Sequence, residues 1–278
     1  MITSPTVAVI GLGLIGGSVA RALSGRGVRV VGFDRDRASL EAAMSEGVIA
    51  AELDEDLRGI TDADIIVLGM PGDAVREIIP QLAGLSSRAT LVTDVGSAKQ
   101  LVVRAAEATD LGPRFVGSHP LAGDHRSGWE ASRADMFQGE RVFLCPTSTT
   151  RPETIQTAKD FWISLGALPS TIDALSHDTR MAWASHLPHI LSAALALALR
   201  DAGVARSDLG RGGRDLTRLA GSSPEMWTAV AEENASAIAV AISSFQEHLE
   251  QLKTAVVDAD ADSFKASFAA GREWFENG

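Results

Sequence analysis

The chain of 278 residues contains no tyrosine, although it has 9 Phe and 5 Trp. Chemistry that needs a tyrosine phenol as proton donor, including the Tyr-x-x-x-Lys arrangement of short-chain dehydrogenases, is thereby excluded. Cysteine is almost absent, with Cys145 the single one. One cysteine makes no internal disulfide and no multi-cysteine zinc cluster, and it fits a reduced, cytoplasmic setting. Positive charge is scarce as well: 25 Lys+Arg stand against 36 Asp+Glu, a formal net charge of −11. A surface of that sign repels nucleic acid and anionic lipid, so an anionic ligand must meet a local basic pocket. The longest apolar stretches, such as Ile190 to Leu199, fall well short of the ~20 residues of a membrane span, and no membrane association is expected. The first residues lack a basic n-region, so no signal peptide is expected either.

What is present is a regular alternation. Between Thr6 and Pro146, β-branched apolar runs (Val7 to Ile10, Val28 to Phe33, Asp64 to Leu68, Thr90 to Thr93, Phe115-Val116, Val142 to Leu144) alternate with amphipathic stretches. That pattern implies βαβ units and a parallel sheet. A helix over Pro152–Leu165 and an extended piece near Leu168 to Ile172 follow. Beyond Ile172 the strand signals stop, and helical periodicity covers Ala174–Arg200, Pro224–Val257 and Asp262–Trp274. The long central helix carries Trp227, Val230, Ile238, Ala241, Phe245, Leu249, Leu252 and Val256 as one apolar stripe. Such a stripe needs a partner, either its own domain or a second copy of the chain. Two domains are expected: residues 1–172, α/β, and residues 173–278, all-helical. The α/β part is a Rossmann-type dinucleotide-binding domain, because of the following fingerprint.

Gly11-Leu12-Gly13-Leu14-Ile15-Gly16 follows an apolar strand and opens a helix, and Asp34 closes the next strand. The first glycine permits a tight turn, the second lets backbone approach a pyrophosphate, and the third lets helix and strand pack closely; the amides at Leu14 and Ile15 open a helix N-terminus toward the phosphates. Asp34 would accept from ribose hydroxyls and disfavour a 2′-phosphate, which selects NAD over NADP, while Arg35 and Arg37 beside it leave NADP possible.

Fold alone does not define the reaction. Four polar blocks remain: Thr93-Asp94-Val95-Gly96-Ser97-Ala98-Lys99, Gly117-Ser118-His119-Pro120-Leu121-Ala122-Gly123, Ser185-His186-Leu187-Pro188-His189, and Asp215-Leu216-Thr217-Arg218. The first two lie at carboxyl ends of strands, where open α/β sheets bind ligands. With the glycine-rich turn, their order over nearly the whole chain resembles the prephenate and arogenate dehydrogenases of tyrosine biosynthesis. The resemblance implies an NAD-dependent Rossmann domain followed by an all-α dimerisation domain, and oxidative decarboxylation of prephenate to 4-hydroxyphenylpyruvate and CO2.

By that resemblance His119 accepts or polarises the substrate hydroxyl proton, a task suited to imidazole. Ser97 orients His119 or the hydroxyl, and as a residue type it could also cap the helix that follows. Arg218 holds a substrate carboxylate, with Arg211 and Arg214 in the same segment. His189 and His177 match histidines near the substrate, and His177 could pair with Asp178. Lys99 contacts cofactor or substrate, or closes an ion pair. No metal site is expected, since His186 and His189 flank a proline without cysteine or carboxylate neighbours. Arogenate bears an ammonium where prephenate bears a keto group. His125, at a position where many relatives carry an acid, therefore favours prephenate, with Asp124 next to it the contrary signal. The alternatives left open are an arogenate or amino-substituted prephenate dehydrogenase, a 3-hydroxyacid-type dehydrogenase, and a silent NAD-binding protein.

Overall fold

The computed structural model describes residues 5–85, 88–124 and 126–277. The first half follows the alternation: β1 (Thr6–Ile10), α1 (Leu14–Ser24), β2 (Arg29–Phe33), α2 (Arg37–Ser45), β3 (Ala51–Glu52), β4 (Ile65–Leu68), α3 (Gly72–Leu85), β5 (Leu91–Asp94) and α4 (Gln100–Glu107). The five strands form a parallel sheet in the order β3-β2-β1-β4-β5. In β1, Val7 and Val9 feed one buried cluster and Ala8 and Ile10 the other, so helices cover both faces. This is why the strand reads as an unbroken apolar run.

The single parallel sheet expected up to Pro146 is corrected in one respect. After β5 the chain builds a second sheet from β6 (Val116–Pro120), β7 (Arg141–Pro146) and, after α5 (Pro152–Ser164), β8 (Leu168–Thr171), ordered β6-β7-β8. β6 runs antiparallel to β7, and β7 parallel to β8. A lone parallel bridge between Val92 and Phe115 ties the two sheets, so β5 and β6 end at the same edge. Trp162 on α5 is fully buried and donates its indole N–H to Ser118 Oγ at 2.9 Å, which anchors β6 beneath the edge.

The remainder is helical: α6 (Ala174–Met181), a π-helical turn at Ala182–His186, α7 (Leu187–Asp201), α8 (Arg211–Leu216), α9 (Pro224–Glu233), α10 (Ala235–Val257) and α11 (Ala261–Asn277). The continuous helix expected over Pro224–Val257 is broken at Asn234. Its backbone turns to φ −125°, ψ 29° after a last helical bond to the Val230 carbonyl, and its buried side-chain amide donates to the Asp178 carbonyl at 2.8 Å. Residues up to Met181 together with Gly221–Asn234 form one compact unit; Ala182–Ala220 and the chain from Ala235 onward form another. The second unit has a small core, with Ala182, Leu187, Ile238 and Ala241 buried. The helical stretch from Ala174 to Asp201 is long and apolar enough, by length and composition, to cross a membrane, with an 18-residue window of mean hydropathy 1.3.

Candidate active site

The glycine-rich turn has the geometry its spacing implies. Gly11 sits at φ +93°, a region reserved largely for glycine. A Cβ on Gly16 would lie 2.0 Å from the Gly11 carbonyl oxygen, so α1 can pack here only with glycine. A Cβ on Gly13 would meet nothing within 4 Å, which leaves open space in front of the turn. α1 begins at Leu14 and Ile15 with no side-chain cap and no acidic residue in its first turn. Its N-terminal amides therefore suit a phosphate. Asp34 follows β2 and accepts from Leu12 N–H at 2.5 Å and Asp36 N–H at 2.8 Å, which fixes the carboxylate beside the turn. Next to it opens a cavity of about 500 Å³ with Phe33, Leu57, Met70 and Ile78 as apolar wall and Asp34 and Arg35 at its rim. The residues present fit a dinucleotide. Arg37, one of the two arginines that keep a 2′-phosphate possible, is paired with Glu52 and lies 3.9 Å from Glu41.

The second cluster forms where β5 and β6 end. His119 lies near the end of β6, half-buried, with Nδ1 2.9 Å from His177 Nε2. His177 Nδ1 in turn lies 2.7 Å from Asp178 Oδ1. The Asp178 carboxylate accepts main-chain N–H bonds from Lys99 and Gln100, both at 2.8 Å. Asp178 thus caps α4, and the capping role expected of Ser97 is corrected: α4 starts at Gln100, too far along the chain for it. Ser97 sits half-buried in the turn between β5 and α4. His177 is completely buried, and both ring nitrogens face protein groups. A direct substrate contact by His177 is therefore replaced by a contact to His119.

Lys99 is also completely buried, and of the two readings of it the ion pair is the one found. Its ammonium donates to the Asp94 carboxylate and to the Ser118 carbonyl, the latter at 2.9 Å. A Cβ on Gly117 would come within 3.3 Å of the Lys99 stem, so glycine at that position makes room for it. Burial pushes the Cys145 thiol up to about 12, which makes it inert as a nucleophile.

His189 and Arg218 belong to the second unit. His189 Nδ1 is 2.9 Å from the Ser185 carbonyl within the π-helical turn, a feature that often marks functional positions. Arg218 opens a 3-10 turn at Arg218–Gly221 with an exposed side chain, as are those of Arg211 and Arg214. Asp124 is held by Arg126 through Nε at 3.1 Å and Nη2 at 3.0 Å. His125 lies outside the described residues. Asp178 is the residue that sequence reasoning undervalues; its place beside His177 is the available signal, while its bonds to residues 78 and 79 positions earlier leave none.

Parallel sheet, glycine turn and closing acid define an α/β dinucleotide-binding fold, with an imidazole cluster at the strand ends. Residues 19–169 match the model for the nucleotide-binding domain of prephenate dehydrogenase, and residues 173–270 match that for its dimerization domain. The chain is 31% identical to a prephenate dehydrogenase of Bacillus subtilis, over 97% of this chain and 75% of that one. Among solved structures it is similar to the prephenate dehydrogenase of Aquifex aeolicus in complex with hydroxyphenyl propionate and NAD+ (TM-score 0.90, 30% identity, 99% of each chain). It is also similar to Synechocystis arogenate dehydrogenase (TM-score 0.83, 29% identity, 98% of this chain and 99% of that one). The chain belongs to the prephenate dehydrogenase family.

Proposed function

We propose that this protein is an NAD-dependent dehydrogenase that converts prephenate to 4-hydroxyphenylpyruvate and CO2, with its functional boundary between residues 172 and 173. The observation that carries the reading is the placement of His119 at the strand-end edge, in the same unit as a turn and helix N-terminus shaped for a dinucleotide. The relatives named for prephenate, and the Aquifex structure with NAD+, support it. Bound NAD supplies the hydride acceptor. Gly11, Gly13, Leu14, Ile15 and Gly16 would hold its pyrophosphate, and Asp34 its ribose.

The substrate gives up hydrogen with its electron pair from C4. The bond to the C1 carboxylate then breaks, its electrons enter the ring, and the ring becomes aromatic as CO2 leaves. The oxygen on C4 ends with its proton as a phenol, so no net proton is released or consumed. The work left to the protein is to stabilise positive charge on the C4 hydroxyl as the hydride departs. His119 does this by accepting the hydroxyl hydrogen bond, with Ser97 orienting the same group. Arg218 takes a substrate carboxylate as a bidentate ligand, and His189 supplies a further polar contact.

Prephenate is preferred over arogenate because Asp124, the acid beside the catalytic block, is already held by Arg126. A carboxylate so engaged is a poor partner for the arogenate ammonium. NAD is preferred over NADP because Asp34 repels a 2′-phosphate and Glu52 occupies Arg37. The dimerization-domain match and the exposed apolar side chains of α10 and α11, Val256 at 63% and Trp274 at 79% among them, support a homodimer. A cytoplasmic location fits the single, buried cysteine. The test is NADH formation with prephenate and arogenate, each against NAD and NADP. Turnover should be highest with prephenate and NAD; dominant arogenate activity would overturn the substrate assignment.

A further inference from the structure

The hydrogen bonds that run from buried Asp178 and His177 to half-buried His119 fix where their protons lie. Both Asp178 oxygens accept main-chain N–H bonds, one from Lys99 and one from Gln100, so toward His177 this carboxylate is an acceptor. His177 Nδ1 must then carry the proton of the 2.7 Å contact. With that proton on Nδ1, His177 Nε2 is a lone-pair acceptor, and the 2.9 Å contact is satisfied by a proton on His119 Nδ1. The remaining nitrogen of His119, Nε2, then bears a lone pair.

We propose that Asp178 and His177 are positioning residues that fix His119 in its Nδ1–H tautomer, so that Nε2 is presented as the acceptor for the substrate hydroxyl. The inference rests on the dehydrogenase reading above and deepens it. The same logic governs the serine-protease triad, where an aspartate sets the tautomer of a histidine and its replacement by asparagine lowers kcat by about 10⁴. Here the relay has one more imidazole and ends on the N-terminus of a helix rather than on an isolated carboxylate.

Several features keep the chain in register. Phe143 lies edge-on to His177 with ring centroids 5.5 Å apart, and Phe143 is the residue opposite His119 in the β6–β7 pairing. Arg180, on the same helix as His177, lies 6.0 Å from the Phe143 ring. Lys99 holds both ends of the relay. Its main-chain N–H binds Asp178, and its ammonium binds the carbonyl of Ser118, the residue before His119. Asn234 donates to the Asp178 carbonyl and completes the frame.

The test combines nitrogen-15 NMR of the histidine rings with kinetics on the full-length protein. Wild type without substrate should show His119 protonated on Nδ1. In Asp178→Asn the amide NH2 set in place of Oδ1 gives up the bond from Lys99 N–H and donates toward His177, the two imidazoles reverse, and His119 becomes protonated on Nε2. The kcat should then fall by roughly 10²–10⁴ while KM for prephenate and the Kd for NAD change less than about threefold. His177→Phe, which keeps ring volume and leaves the α4 cap in place, should give a mixture of His119 tautomers and a smaller loss in kcat. Either a wild-type His119 protonated on Nε2, or a folded Asp178→Asn variant with unaltered tautomer and kcat, overturns the proposal. Because the tautomer is read without substrate, wild type inactive on prephenate would refute the functional reading and leave the relay to be judged by its spectrum.

Discussion

Replacing Lys99 by methionine tests how the strand-end cluster is held. The ammonium has 0% exposure and its partner Asp94 1%, so neither charge reaches water. Methionine keeps most of the stem volume but removes the charge. Asp94 then retains one hydrogen bond, from Gly96 N–H to Oδ2 at 2.8 Å, while its Oδ1 has no partner among the described residues. The Ser118 carbonyl loses its 2.9 Å donor as well. Breaking a buried pair in this manner costs about 3–5 kcal/mol, against a total stability of about 5–15 kcal/mol for a typical domain. Urea unfolding followed by tryptophan fluorescence should show a midpoint lowered accordingly with an unchanged slope. The double variant Lys99→Met with Asp94→Asn removes the stranded charge, so it should be less destabilised than the sum of the two single changes by at least about 1 kcal/mol. A loss below about 1 kcal/mol in Lys99→Met, or strict additivity, would refute the view that this pair braces the site.

Gly16→Ala should abolish folding or NAD binding, since its methyl would overlap the Gly11 carbonyl at 2.0 Å, whereas Gly13→Ala, with open space around it, should melt like wild type and bind NAD at least about tenfold more weakly by titration. Burial holds the Glu233 carboxyl above its ordinary value of 4.5, an effect that Arg76, 3.2 Å away, only partly offsets. A carboxyl raised in the folded state binds its proton more tightly there than when unfolded, so it lowers stability as pH climbs above 4.5. Urea melts across that range should show wild type losing stability relative to Glu233→Gln with rising pH; parallel curves would contradict this.

The parts legible in the sequence are those with local causes. β1, β2, β4 and β5 announce themselves because strands covered on both faces are continuous apolar runs, and the glycine turn because its three glycines keep the spacing that a close strand-to-helix turn requires, with Gly16 answering the Gly11 carbonyl five residues before it. The relay is half visible, as the neighbours His177 and Asp178. What joins it to His119, 58 positions earlier, and to the start of α4 is tertiary, and no periodicity reports it. Lys99 misleads for the same reason: a lysine is ordinarily at the surface, and only the fold shows Asp94, Ser118 and Gly117 enclosing it. The break at Asn234 is hidden because the apolar stripe continues through it, while the side-chain bond made at the break goes to Asp178, 56 positions earlier.

The most direct measurement is NADH absorbance during incubation of the purified protein with prephenate and NAD, run beside His119→Asn. Steady NADH formation by wild type is predicted, with turnover reduced by roughly 10²–10⁴ in the variant and its NAD affinity nearly intact. No NADH from wild type, or wild-type turnover in His119→Asn, would contradict the account.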